Sequence, residues 1–405
     1  MKPMLWKKRV YLDAAAGAAS NPSSPHEEGR VAKQILEDAR VIIARLVEVQ
    51  ADDVIFTSGA TESNAIAILG HIRALREAAG RPDAVGRNNI HVLYLPSAHA
   101  SIVENMKMLA SEGVVVEPLP IKDARVDTEA LALMLRKDTA LVSMDAVCGE
   151  TGVIWNTREV AEVLRTHSRS NASLAPSGLV GTSQPVASTN IAPAVLHVDA
   201  SQAPLTEKIT RAHFGADLIT FDGSKVGALR GIGVLIAHRT IPLAPLYRGG
   251  GQERGIRSGS ESPELASAFA TALSAAAKSR DQFRTSAERD RELLVSRITE
   301  TIPGVYIQEG RSQAPHILNL ALPGRDTDYL VALLDEAGFA VSTRSACETD
   351  SEEGSRAVLA LTGDVERARA TLRISWNESI TSRSLVRFAK ALSRAVAFID
   401  KGSQR

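Results

Sequence analysis

The chain has 405 residues, 47 Lys and Arg against 47 Asp and Glu, and a hydrophobic content of 44%. At roughly 150 residues per domain it accommodates two or three domains, and that apolar content excludes a largely disordered chain. A net charge of zero leaves no footprint for nucleic-acid binding, no apolar run nears the ~18 residues of a bilayer span, and two distant cysteines, Cys148 and Cys347, exclude a disulfide framework.

The first ten residues carry positive charge but no apolar stretch or small-residue cleavage site, so they do not read as a signal peptide. A soluble, cytoplasmic protein of enzyme size is expected, with neither nucleic acid nor membrane as partner. Short apolar runs then alternate with amphipathic stretches. Strands are predicted at 53–57, 91–95, 140–144, 195–199, 218–221 and 233–237, each nearly continuous in apolar residues, as strands buried on both faces are. Helices are predicted between them at 62–79, 101–111, 127–136 and 158–167. This alternation predicts a doubly wound α/β domain, whose ligands gather at the carboxyl ends of the strands.

Residues 168–192 are rich in Ser, Ala, Pro, Thr and Gly with one charge, Arg169, and read as a surface insertion without fixed structure. From Ser262 the texture changes to a long helical stretch ending near Thr301. Strands at 317–321, 340–342 and 371–376 and a closing helix at 382–399 follow, the pattern of a smaller α+β domain. The division drawn is 14–280 for the large domain, with 1–13 and 281–405 forming the small one.

Several segments carry chemistry-bearing residues where a strand ends. Phe56-Thr57-Ser58-Gly59-Ala60-Thr61-Glu62 places small residues at a strand-to-helix junction, where backbone N–H groups can approach a phosphate. Its ordinary reading is a capped helix start. His99 follows a strand and precedes a helix, as a cap or a ring-stacking imidazole does. Asp199 ends an apolar strand, suited either to an N-cap or to pairing with a protonated pyridine nitrogen. Lys225, in Asp222-Gly223-Ser224-Lys225, is either a solvated loop lysine or a Schiff-base amine. Gly249 to Ser260 holds three glycines and two arginines, a flexible loop or an ordered anion-binding one. Arg373 lies inside an apolar strand and needs an anionic partner, internal or bound. Cys347 sits in a polar, acidic loop, unlike the usual buried cysteine, whereas Cys148 follows an apolar strand and reads as structural.

In their order along the chain, nearly end to end, these segments resemble the NifS/IscS-type cysteine desulfurases of the class V aminotransferase family. Phe56 to Ser63, Arg254-Gly255-Ile256-Arg257-Ser258-Gly259 and Ser345-Ala346-Cys347 carry the resemblance. It implies fold type I and pyridoxal 5'-phosphate as cofactor. It also implies that Lys225 carries the cofactor and abstracts the substrate Cα proton, while His99 stacks on the ring and helps deprotonate the substrate thiol. Asp199 pairs with the pyridine nitrogen, Gln202 bonds the ring oxygen, and Ala60, Thr61, Ser224 and a second subunit's Ser260 cradle the phosphate. Asn319 and Arg373 hold the substrate carboxylate. Cys347 takes the sulfur of L-cysteine as a persulfide and releases L-alanine. A homodimer is implied, as is a sulfur acceptor, either an iron–sulfur scaffold or a thiolation relay protein. The acidic run Glu348, Asp350, Glu352 and Glu353 predicts a basic face on that acceptor.

The chain departs from the family pattern at four places. Cys148-Gly149 replaces a pair of asparagines, Asn377-Glu378 replaces a Gly-Arg pair, and a helix's worth of chain is absent between Ala16 and Asn21. Asp222 replaces a phosphate-binding serine, and a carboxylate there is expected to weaken cofactor binding unless it turns away. Two other readings stay open at this point: a catalytically weak paralogue acting as a binding subunit, and a selenocysteine lyase.

Overall fold

The computed structural model describes residues 10–17, 21–78, 80, 90–173, 193–343 and 354–402. Among these residues a seven-stranded sheet runs in the order Val54–Thr57, Gly233–Ala237, Leu218–Asp222, Val195–Asp199, Thr139–Asp145, His91–Tyr94 and Val115–Pro118. Six strands share one direction, and Gly233–Ala237 opposes both its neighbours. The 54–57, 139–145, 195–199 and 233–237 strands are buried along their whole length. Burial on both faces leaves no polar side to alternate, which is why these strands read as continuous apolar runs. This is the mainly parallel α/β architecture that the sequence predicts.

The reversed strand begins against the loop that opens the next helix. A Cβ at Gly233 would lie 2.7 Å from the Gly59 backbone, so only glycine lets the two segments touch. The helix predicted at 62–79 is interrupted. Ala60–Ala65 is α-helical, Ile66–Gly70 widens to a π turn, and His71–Ala78 resumes the α-helix. Gly70 O accepts the Ala244 N–H at 3.0 Å and His71 Nδ1 meets Pro242 O at 2.9 Å, so the widened turn packs against 242–244.

Three further expectations are corrected. Residues 340–342 form no strand; Ser342 makes a single bridge to Arg373. The helix predicted to end at 167 is Thr157–Ser173 and runs through Arg169 into the stretch read as an insertion, while 174–192 lie outside the described residues. An amphipathic helix, Glu27–Val47, was not predicted, although Ala32, Leu36, Ala39, Ile43 and Val47 recur at helical spacing and are buried.

A second apolar core lies on an antiparallel sheet of Tyr306–Gln308, Ile317–Ala321 and Thr371–Ser375. The 39-residue helix Pro263–Thr301 serves both cores. Ala266, Phe269, Ala270, Leu273 and Ala276 belong to the first, and Phe283, Ala287, Leu294 and Ile298 to the second. The proposed division at 280 falls within this crossover, and residues 1–9 of its other segment lie outside the described ones.

A buried ion pair fixes the start of the glycine-rich loop. Arg40, on the 27–47 helix, grips Glu253 with two parallel bonds of 2.9 and 2.7 Å and donates to Val54 O at 2.6 Å. Glu253 Oε2 also accepts the Phe56 N–H at 2.9 Å. Glu253 and Arg254 have φ of 46° and 60°, a left-handed conformation that non-glycine residues adopt only when held there. Glu253→Ala removes the buried partner of Arg40, leaving it only the half-exposed Glu37 at 3.2 Å, and leaves the Phe56 N–H unmatched in the interior. The expected loss is about 3 kcal/mol of stability, read as a lower urea midpoint; an unchanged midpoint would show that the pair does not hold the loop.

Candidate active site

The carboxyl ends of the parallel strands surround a cavity of about 310 Å³. Ala60, Thr61, His99, Asp199, Gln202, Ser224, Lys225 and Arg373 all line it, so segments from 60 to 373 converge on one place. Ser260 and Asn319 do not line it, and Cys347 lies outside the described residues. A larger hollow of about 700 Å³, between the 27–47 helix and 251–254, is lined by Gly251 to Arg254 of the glycine-rich segment and by none of the residues given a catalytic or binding role.

One hydrogen-bonded chain ties the imidazole to the carboxylate. The buried Asn64 amide donates to Ser101 Oγ at 2.8 Å and to Asp199 Oδ2 at 2.7 Å. The Ser201 N–H donates to Asp199 Oδ1 at 2.9 Å, so both carboxylate oxygens are oriented. His99 caps the Ala100–Ser111 helix, its Nδ1 accepting from the Ser101 N–H at 3.2 Å and lying 2.8 Å from Ser101 Oγ. Because Nδ1 accepts, the neutral ring carries its proton on Nε2, the nitrogen left for the cavity.

Lys225 sits on the short turn Gly223–Val226 and is exposed toward the cavity, with no ion-pair partner among the described residues. Asp222, just before that turn, does not point away. Its Oδ2 accepts the Ala60 N–H at 2.9 Å, and its Oδ1 accepts the Ser224 N–H at 2.9 Å and the Ser224 hydroxyl at 2.6 Å.

Beneath the cavity burial disfavours charge. His197 lies between the hydroxyls of Ser143 (2.8 Å) and Thr220 (3.1 Å), all fully buried. Burial pushes its imidazole down to about 4, against the pull of Asp199. Burial, followed by the neighbouring Asp199 carboxylate, holds Asp145 well above the usual carboxylate range. The same desolvation, with Asp145 and Glu150 close by, pushes the Cys148 thiol up to about 12, so this cysteine is a protonated wall residue.

Arg373 donates to Gly149 O at 3.2 Å and faces the cavity. Asn319 is its register partner on the adjacent strand, buried, with an Oδ1 that has no partner among the described residues. Both ends of segment 344–353, which includes Cys347, are fastened at the cavity rim. Ser342 exchanges backbone bonds with Arg373, and the Ser355 hydroxyl donates to Glu150 Oε2 at 2.6 Å.

Asn64, Ser97, Asp145 and Ser201 were missed by sequence reasoning. Asp145 gives the same signal as Asp199, a carboxylate ending an apolar strand, and could have been found. Ser97 Oγ, Asp145 Oδ1 and Ser201 Oγ are buried, line the cavity wall and have no partner among the described residues. Buried polar atoms seek hydrogen bonds. With a free amine, an oriented carboxylate and a volume in the range of small-molecule sites, the residues present fit pyridoxal phosphate.

Residues 7–174 and 172–383 match the family described as aminotransferase class-V. The chain is 32% identical to a NifS/IcsS protein homolog of Lactobacillus delbrueckii subsp. bulgaricus, covering 97% of this chain and 94% of that one. It is 29% identical to the cysteine desulfurase IscS 1 of Archaeoglobus fulgidus, covering 92% and 88%. Among solved structures, a NifS-like protein superposes with a TM-score of 0.79 at 25% identity, over 94% of this chain and 92% of that one. No helix among the described residues is long and apolar enough to cross a membrane.

The buried histidines give the chain a measurable acid sensitivity. His197 and His316 bind a proton near 6.5 when unfolded but only near 4 when folded, both because of burial. Between those values the unfolded state holds more protons, so their contribution to stability is full above 6.5 and is lost as pH falls toward 4. Asp145 acts in the opposite sense, since its folded carboxyl keeps its proton above 3.8. The histidine effect is therefore read as a difference. Wild type is expected to lose more stability than His197→Gln between pH 6.5 and 4, by up to about one proton's worth of slope. Parallel urea-midpoint profiles would show that His197 is charged in the fold.

Proposed function

From the premise that the chain belongs to the aminotransferase class-V family, we propose that it is a pyridoxal-phosphate-dependent cysteine desulfurase of the NifS/IscS type. It converts L-cysteine to L-alanine and leaves the sulfur as a persulfide on Cys347. The observation that carries this reading is the meeting of Lys225, Arg373 and the Asn64-oriented Asp199 at one cavity.

When bound, pyridoxal phosphate supplies an electron sink for negative charge at the substrate Cα. Lys225 is the amine that would hold it and the base that takes and returns the Cα proton. Asp199, fixed as an acceptor at both oxygens, would face a protonated ring nitrogen. Gln202 would bond the ring oxygen, and Ala60, Thr61, Ser224 and the Ser260 of a second copy would meet the phosphate. That Ser260 is exposed and outside its own chain's cavity supports a homodimer.

Arg373 would hold the substrate carboxylate from the opposite wall, with Asn319 beside it. His99 presents Nε2–H, so in its neutral form it is a proton donor toward the cavity; it takes up a substrate proton only after giving this one away. Cys347 forms the new S–S bond as the substrate C–S bond breaks. The substrate sulfur passes to Cys347, hydrogen passes to the substrate carbon, and cysteine plus thiol become alanine plus persulfide with no outside oxidant. The fastened ends of 344–353 at Arg373 and Glu150 support delivery of Cys347 to this cavity. The acceptor is a sulfur-carrying partner with a basic face, serving iron–sulfur assembly or thiolation in the cytoplasm.

The test is alanine release from L-cysteine by the protein supplied with pyridoxal phosphate. Wild type is expected to form alanine, and Lys225→Ala to lose roughly a hundredfold or more of the rate. Cys347→Ala should bind the cofactor as wild type does and yet form no persulfide. Persulfide from the Cys347→Ala protein would move the nucleophile elsewhere. A wild-type protein that neither binds cofactor nor releases alanine would favour the binding-subunit reading, for which Asp222 is the motive.

A further inference from the structure

Among the donors that the family resemblance gives to a phosphate, those of Ala60 and Ser224 are already in use by this chain. Two of the three cradle residues assigned within the chain, Ala60 and Ser224, direct three donors at a single carboxylate. The Ala60 N–H reaches Asp222 Oδ2, and the N–H and hydroxyl of Ser224 reach Asp222 Oδ1, all within 2.9 Å. The preceding donors of the loop are taken too, since the Gly59 N–H meets Thr57 Oγ1 at 3.3 Å and the Ser58 N–H binds Glu62 Oε2 at 2.5 Å. Glu62 is itself held by Tyr247 at 2.6 Å and by Arg257 at 3.2 Å, so it is anchored where it stands.

We propose that Asp222 is a built-in anion that competes with the phosphate of the ligand for the Ala60–Ser224 cradle, so that this chain gains little affinity from a phosphate group. The proposal rests on the reading that the cavity takes pyridoxal phosphate, and it concerns one end of that ligand. A carboxylate and a phosphate ask for the same N–H and O–H donors, and two anions do not share them without repulsion. A phosphate-bearing ligand therefore engages the cradle only by turning Asp222 out. Arg257, beside the loop, is paired with Glu62, and Lys225, in the cavity lining, is assigned to the aldehyde end of the ligand. Neither is spare to offset a second anion. The ring end is untouched by this competition, because its contacts come from Asp199, Gln202 and His99.

The experiment crosses two ligands with the substitution. Pyridoxal phosphate and pyridoxal, which lacks the phosphate, are titrated calorimetrically into wild type, Asp222→Ser and Asp222→Asn. Asp222→Asn keeps the shape and one oxygen acceptor without the charge, and it covers the case in which Asp222→Ser does not fold. The expected result is a gain of about tenfold or more for pyridoxal phosphate in the substituted proteins, with pyridoxal affinity unchanged. An equal gain for both ligands, or no gain, would overturn the proposal. Inorganic phosphate then separates this proposal from the functional reading. It is expected to raise the melting temperature of the substituted proteins and not of wild type, whether or not pyridoxal phosphate binds at all. Stabilisation of all three alike would show that Asp222 does not guard the cradle. Absence of pyridoxal phosphate binding alone would count against the functional reading and leave the phosphate result to decide this one.

Discussion

The Asn64 amide spends its two protons on Ser101 and Asp199, and through them it sets the positions of His99 and of the carboxylate facing the cavity. These two groups come from separate segments, His99 capping the Ala100–Ser111 helix and Asp199 ending the 195–199 strand. A single side chain from a third segment therefore fixes their spacing. Asn64 can do this because the Ala60–Ala65 helix is seated on the end of the 54–57 strand, with Gly233 allowing the backbones to touch. The layer below, His197 between Ser143 and Thr220, adds no charge that could pull Asp199 away. Site geometry here is a consequence of sheet packing.

What the sequence reveals and what it hides follow from burial. Central strands such as 195–199 and 233–237 were legible to the residue, because strands covered on both faces leave unbroken apolar runs. The edge strands 115–118 and 306–308 were not: each is half-exposed, and the first ends in a proline. The 340–342 run has the right residue types, but only Ser342 finds a partner strand. The π turn at 66–70 leaves no trace in the pattern, since it arises from the packing of 242–244. In the site, charged residues at strand ends stood out, whereas Asn64 and Ser101 look like any polar residues inside a helix. Asp222 was visible as a departure, yet its direction was a matter of coordinates.

The departures compensate one another in part. Where the resemblance expects an asparagine, Gly149 leaves room that Gln202 occupies: a Cβ at 149 would lie 3.1 Å from Gln202 Nε2. Asp145 lies beside Asp199 on the adjacent strand, and burial together with that neighbouring carboxylate holds its own carboxyl well above the usual range. Cys148, its thiol pushed up to about 12 by burial, offers the cavity no nucleophile. The cavity thus keeps Asp199 oriented at both oxygens, while Asp222 and Glu150 are engaged by Ala60, Ser224 and Ser355.

The Pro263–Thr301 helix works as a keyed shaft between two wheels. Arg373 is carried by the second core but faces a cavity built on the first, so its angular position depends on the phase of that shaft. One residue inserted between Ala276 and Phe283 would turn the second set of buried side chains by about 100° and advance it by about 1.5 Å. The wall that carries Arg373 would rotate off the cavity although no residue in it had changed. Length in this short stretch is therefore constrained as tightly as the identity of the residues that line the cavity.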